Sequence, residues 1–229
     1  MSRRNKLLKF TENLTFNNVY EAISYGSSEL KRNETDLVVL NGEWNTKHFK
    51  NSKPIILELA CGRGEYCLAL AERYPNINFI GVDIKGARIW KGAKLALENQ
   101  LSNVAFLRTR IECIDKFFDE GEVDELWITF PDPFLRDSKY NRRLTSPNFL
   151  ALYKKLLKPG GLIHLKTDSP ELYEHSLEVI EELQLELIIQ DDDIYASAEL
   201  PQRDLDIKTY YERQHLEKGK KIKYLQFRF

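Results

Sequence analysis

Residues 127–143 read WITFPDPFLRDSKYNRR and hold the side chains best suited to chemistry on a nucleic-acid base. An apolar run fit for a buried strand ends at two prolines that bracket one carboxylate, Asp132, and an aromatic ring, Phe134, follows. Four bases, Arg136, Lys139, Arg142 and Arg143, then fall within eight residues. A carboxylate can accept N–H bonds from a base edge, a ring can stack on its face, and cations can meet the flanking phosphates. Taken alone, the stretch reads equally well as a proline-bounded turn followed by a solvated charge run.

A second constellation precedes it. An apolar strand ends in ELACGRGEY, where Gly62 and Gly64 would let the backbone turn tightly and approach a ligand without a clashing Cβ. The next strand ends in GVD, which puts Asp83 nineteen residues after Gly64, placed to accept bonds from ribose hydroxyls. A dinucleotide site needs GxGxxG with pyrophosphate on a helix N-terminus. Here Glu65 stands at that helix start, a poor host for pyrophosphate. A cofactor with a ribose and a cationic or zwitterionic tail, such as S-adenosylmethionine, suits Glu58 and Asp83 better. The remaining alternative is a strand–turn–helix whose small residues serve packing only.

The elements that must position these residues alternate. Strands are predicted at 55–59, 77–82, 104–107, 123–130, 162–166, 185–190 and 222–229, and helices at 65–74, 87–99, 147–157 and 170–183. Lys158-Pro-Gly-Gly161 is expected to stop the third helix. Such alternation means crossover units on a parallel sheet with helices on both faces, an α/β class. Residues 191–219 read as a long loop or insertion, and residues 1–50 as an N-terminal arm with one helix ahead of a single domain over 51–229.

Composition narrows the class. A length of 229 residues suits one α/β domain with a sizeable core. No apolar run is long enough to span a bilayer, and the basic start MSRRNKLLKF lacks the apolar core of a secretory signal. Cys61, Cys67 and Cys113 form no CxxC pair and fit reduced thiols in a cytoplasmic protein. His48, His164, His175 and His215 show no metal-ligand spacing, so no metal is expected. Net charge is −1, but the charge is segregated: residues 171–206 hold twelve acids and one base, whereas 218–229 hold five bases and no acid. A basic face on a near-neutral protein follows.

Glu58 to Gly64, Asp83, TFPDPF, Thr167-Asp168 and TYYERQHLEKGKKI from Thr209 together resemble the tRNA (guanine-N7)-methyltransferase family. The likeness runs from about Pro54 to the C-terminus. It implies a Rossmann-like class I methyltransferase with a seven-stranded, mostly parallel sheet. It further implies S-adenosylmethionine as cofactor and tRNA as partner, with methylation at N7 of a variable-loop guanine, position 46, by a cytoplasmic monomer or homodimer. By position, the resemblance makes Asp132 catalytic and gives Glu58 and Asp83 to the cofactor, alongside Gly62 and Gly64 of the turn and the backbone at Arg110 and Ile111. Arg136, Asp168 and the segment Thr209, Tyr210, Tyr211 and Glu212 go to the substrate, and Lys139, Arg142 and Arg143 to RNA contact.

Departures from the family pattern are specific. Ala60 stands for a glycine, Phe134 for a tryptophan, and Arg136 for a lysine; Tyr140 and Asn141 stand where bases or histidine are usual. Arg110 stands where an adenine-binding aspartate is common, and a guanidinium cannot accept a bond from the adenine amino group. Backbone near Arg110 and Ile111, or Glu112, would then read adenine. Two other classes stay open: a methyltransferase acting on another RNA base or amino group, which PDPF approaches in pattern, and a noncatalytic RNA-binding module, which would have no use for the acid set.

Overall fold

A computed structural model of the chain describes residues 3–229. The chain runs α1 (Arg3–Asn13), β1 (Val19–Ala22), β2 (Leu30–Lys31), β3 (Leu37–Val38), β4 (Ile55–Leu59), α2 (Glu65–Arg73), β5 (Asn78–Asp83), α3 (Gly86–Glu98) and β6 (Val104–Arg108). It continues through β7 (Val123–Thr129), α4 (Pro147–Leu156), β8 (Leu157–Thr167), α5 (Pro170–Glu182), β9 (Glu186–Asp191), α6 (Tyr210–Glu217) and β10 (Lys223–Arg228).

All ten strands join one sheet in the order β3-β2-β1-β6-β5-β4-β7-β8-β10-β9. The pairs from β6 through β8 are parallel, and β10 runs antiparallel to both β8 and β9. Seven of these strands make up the expected sheet. The other three correct the expected strand count: β1 pairs parallel with β6, and β2 and β3 extend the edge from it. Strands of four, two and two residues carry too few alternating positions for a periodicity to show. Trp44 and Phe49 sit in a π-helical turn, and both reach the core. Residues 19–49 therefore contribute to the same sheet and core.

Two further differences have local causes. Leu157 already pairs with Val123, and the register then jumps to Glu125 with Leu162. Lys158–Gly161 thus forms a bulge inside β8, with Gly160 at φ 77°. The expected loop at 191–219 contains α6, which its capping box nucleates over only eight residues.

Strand β4 shows how the core forms. Ile55, Leu57 and Leu59 feed one apolar cluster, and Ile56 feeds the other. Side chains alternate across a strand, so the clusters lie on opposite sheet faces under the two helical layers. Each fully buried aliphatic contributes roughly 1.5–3 kcal/mol. From β4 the chain winds through β5 and β6 on one side and returns through β7 and β8 on the other. That reversal opens a crevice at the strands' carboxyl ends, where such sheets bind ligands.

Candidate active site

The crevice is a cleft of about 1090 Å³. On its β4–β6 side, Ala60, Asp83, Arg110 and Ile111 line it. The backbone after β4 turns through Ala60 (φ 57°), Gly62 (φ 58°) and Gly64 (φ 66°). The two glycines do different work. A Cβ on Gly62 would meet nothing within 4 Å, so open space lies beside that backbone. A Cβ on Gly64 would come 2.5 Å from the Phe106 ring, so Gly64 is needed for packing at the start of α2. Asp83 clamps the turn: its Oδ2 accepts the Gly62 N–H at 2.9 Å and its Oδ1 the Lys85 N–H at 2.7 Å. The carboxylate keeps further lone pairs for a ligand.

Ala60 adopts a conformation that L residues rarely hold. Ala60→Gly is expected to raise stability by up to about 1.6 kcal/mol. It relieves roughly 1–2 kcal/mol of left-handed strain against an unfolded-state entropy penalty of about 0.4–1 kcal/mol. The denaturant midpoint checks it, and a lower midpoint would mean that the Ala60 methyl group contributes more by packing than its backbone costs.

Glu58 lies beneath the turn and does not line the cleft. Its Oε2 accepts the Cys67 N–H and its Oε1 the Thr129 hydroxyl, both at 2.9 Å. Burial pushes its carboxyl up to about 8. It ties the first turn of α2 to the end of β7, because the alternation of β4 turns it into the sheet–helix layer.

On the other side, the loop after β7 presents Asp132, exposed at the cleft, between Phe130 (φ 50°) and Phe134 (φ 43°). Non-glycine residues in this region store strain and cluster at functional sites. The Arg142 guanidinium lies 4.8 Å from the Phe134 ring centre. On the same side, Asp168 follows β8, the strand paired with β7; its Oδ2 accepts from the Lys220 ammonium at 2.5 Å and lies 3.2 Å from His215 Nδ1. His215 stacks on Phe130 at 5.8 Å, and burial lowers its pKa despite the pull of Asp168. Tyr211 comes from α6, with the Arg88 guanidinium 5.7 Å from its ring centre.

The rest of the Thr209–Glu212 segment faces elsewhere. Thr209 Oγ1 accepts the Glu212 N–H at 3.2 Å and Glu212 Oε2 accepts the Thr209 N–H at 3.4 Å, so the Thr-x-x-Glu pattern is a capping box. Glu212 is fully buried and pairs with the equally buried Lys166 at 2.8 Å. Lys166 also donates to the Leu205 and Ile207 carbonyls, and burial lowers its pKa against the pull of Glu212. The Tyr210 N–H donates to Glu65. Of the four residues, only Tyr211 reaches the cleft. Arg143 is only 8% exposed and donates to the Pro133 and Phe134 carbonyls of the loop. Arg136 and Lys139 lie outside the cleft, Arg136 exposed and Lys139 half-buried. Sequence reasoning missed His215 and Arg88. His215 had a signal, since it stands four residues after Tyr211 on the same helix face.

A seven-stranded doubly wound core with antiparallel β10, and a cleft built on an acid-clamped turn, define a class I methyltransferase. Solved structures share the fold: the 16S rRNA methyltransferase KamB is 15% identical with a TM-score of 0.63 over 85% of this chain and 96% of that one. A geranyl diphosphate C-methyltransferase from Streptomyces coelicolor is 14% identical with a TM-score of 0.53 over 81% and 77%. The family described as "Putative methyltransferase" matches residues 52–225. A tRNA (guanine-N(7)-)-methyltransferase of Porphyromonas gingivalis is 50% identical over 93% of this chain and 85% of its own. One of Christiangramia forsetii is 46% identical over 100% and 99%. The chain belongs to the tRNA (guanine-N(7)-)-methyltransferase family. No helix among the described residues is long and apolar enough to cross a membrane.

Proposed function

We propose that this enzyme methylates N7 of a variable-loop guanine in tRNA, at position 46, in the cytoplasm, with S-adenosylmethionine as donor. The observation that carries the reading is one cleft that holds an acid-clamped turn at one end and two carboxylates with aromatic rings at the other. The turn fits the cofactor: space lies open beside Gly62, and Asp83 offers acceptors suited to ribose hydroxyls. Asp83, the Ala60–Gly62 backbone and the backbone near Ile111 would hold it. Arg110 lines the cleft yet cannot accept from an adenine amino group, which leaves that role to backbone carbonyls or Glu112. When bound, S-adenosylmethionine supplies an electrophilic methyl group.

The protein's own task is placement. Guanine N7 carries an in-plane lone pair and no proton, so the acceptor needs no general base. Methylation leaves positive charge on the purine and strengthens the N–H donors of its Watson–Crick edge. Asp132, exposed at the cleft, would accept those bonds as the charge develops, with Asp168 as the second acceptor. Phe134 and Tyr211 offer faces for stacking, and orientation within the cleft lowers the barrier further.

Methyl transfer from labelled S-adenosylmethionine to unmodified tRNA, with the product nucleoside identified, tests the reading. It should give 7-methylguanosine that disappears when the variable-loop guanine is replaced. Label on another nucleoside would overturn the substrate assignment. Arg142, exposed at the mouth, should contact phosphate. Arg142→Ala is expected to weaken tRNA binding and to lower the salt slope by about 1; an unchanged slope would place the phosphate path elsewhere.

A further inference from the structure

Of the four bases after Asp132, Arg143 alone is buried, and the proposed reaction leaves it no task. Its Nε donates to the carbonyl oxygens of Pro133 at 3.2 Å and Phe134 at 3.3 Å, and its Nη2 donates to Phe134 at 3.3 Å. These are the two residues that follow Asp132. Phe134 is held at φ 43°, a conformation an L residue keeps only where its surroundings impose it. A planar fork aimed at both carbonyls imposes it, and a point charge would not do so equally well.

The fork is itself mounted. The Arg143 guanidinium lies 5.7 Å from the Tyr140 ring centre, and that ring meets His175 of α5 edge-on at 4.5 Å. His175 is 3% exposed, and neither of its ring nitrogens has a hydrogen-bond partner among the described residues. It serves as a neutral ring: burial, with the Arg143 charge second, lowers its pKa to about 4. A second clip joins Thr145 Oγ1 to Ser176 Oγ of the same helix at 2.7 Å. Helix α5 starts at Pro170, two residues after Asp168. One helix therefore carries the mount for the Asp132 loop and directly follows the other carboxylate.

We infer that Arg143 is a positioning residue for methyl transfer: it fixes the Pro133–Phe134 backbone so that Asp132 and the Phe134 ring face the substrate in register with Asp168. The inference rests on the reaction proposed above. A phosphate contact by Arg143 would require it to leave both carbonyls and its buried seat, whereas Arg142 beside it is already exposed.

Arg143→Ala and Arg143→Lys are the test, each assayed for kcat and KM with tRNA, S-adenosylmethionine affinity, the salt slope of tRNA binding, and amide exchange of the 128–136 peptide. In Arg143→Ala, kcat should fall on the order of 10²-fold, as a misplacement of about 1 Å can cause. The salt slope and cofactor affinity should stay at wild-type values, the peptide should exchange faster, and added guanidinium ion should restore part of kcat. Arg143→Lys retains the charge and the stem, so it decides the matter if the alanine variant does not fold. It should lose most of the same turnover for want of the fork. Unchanged kcat in Arg143→Lys, or a salt slope lowered by about 1 with kcat intact, would overturn the inference. Wild-type protein that made no 7-methylguanosine would sink the functional reading instead, while amide exchange would still report whether Arg143 orders the loop.

Discussion

Asp132→Asn is expected to fold normally, to bind S-adenosylmethionine as the wild type does, and to lose about 10²–10³-fold in kcat, the range seen when one preorganised charge-stabilising group is removed. The side chain is exposed at the cleft and forms no ion pair with a described residue, so folding does not depend on it. It lies across the cleft from Asp83, so the cofactor end stays intact. Asparagine keeps the size of the side chain but replaces one acceptor oxygen with an N–H donor that would face the donor edge of guanine. The loss should appear in kcat more than in KM, because the acceptor matters most once the purine becomes cationic. Steady-state kinetics beside calorimetric cofactor binding measure both halves. Near-normal turnover would remove Asp132 from the mechanism and leave Asp168 as the acceptor. A matching loss of cofactor affinity would show that the loop after β7 supports the donor site as well.

The parallel frame was legible because its strands are buried on both faces. Runs such as IILEL and NFIGVD have few competing interpretations, and turn residues mark where they stop. The same logic found Asp83 and Asp132, which stand at strand ends where chemistry is displayed. What sequence could not tell was the direction in which a polar side chain points once it leaves a strand. Glu58 and Asp83 both read as cofactor acids, yet the pleat sends one under the turn and the other to the cleft. Arg142 and Arg143 are neighbours of one chemistry, and the backbone turns one outward and the other under the loop. In Thr209–Glu212 the capping box and a ligand-binding segment share one pattern, and only the tertiary partner Lys166, 46 residues away, separates them. The short strands at 19–38 owe their existence to the β6 edge they pair with, a cause that no local periodicity records.

Glu212→Gln should be the most destabilising single change outside the apolar core, at about 3–5 kcal/mol, because it leaves the Lys166 ammonium uncompensated at a site with no solvent contact. Against a typical total of about 5–15 kcal/mol, that is a large share, and Tm should drop by roughly 6–20 °C. The sign of the pH dependence follows from Lys166. Burial already lowers its pKa below the unfolded value, and losing the carboxylate lowers it further. Between the folded and unfolded pKa values the unfolded chain binds more protons, so stability rises with pH. The defect should therefore be largest at acid pH and shrink as Lys166 gives up its proton. Lys166→Met combined with Glu212→Gln should recover part of the loss, since no buried charge is then left without its partner. The pair holds α6 against β8 and so holds Tyr211 over the cleft, which means that Glu212→Gln should also reduce tRNA turnover below its own melting range. Denaturation of the two single variants and the double variant, at acid and alkaline pH, measures the coupling directly. Wild-type midpoints in Glu212→Gln would mean that the capping box and the Tyr195 hydroxyl, which donates to Glu212 at 2.7 Å, suffice to hold α6 without the charge.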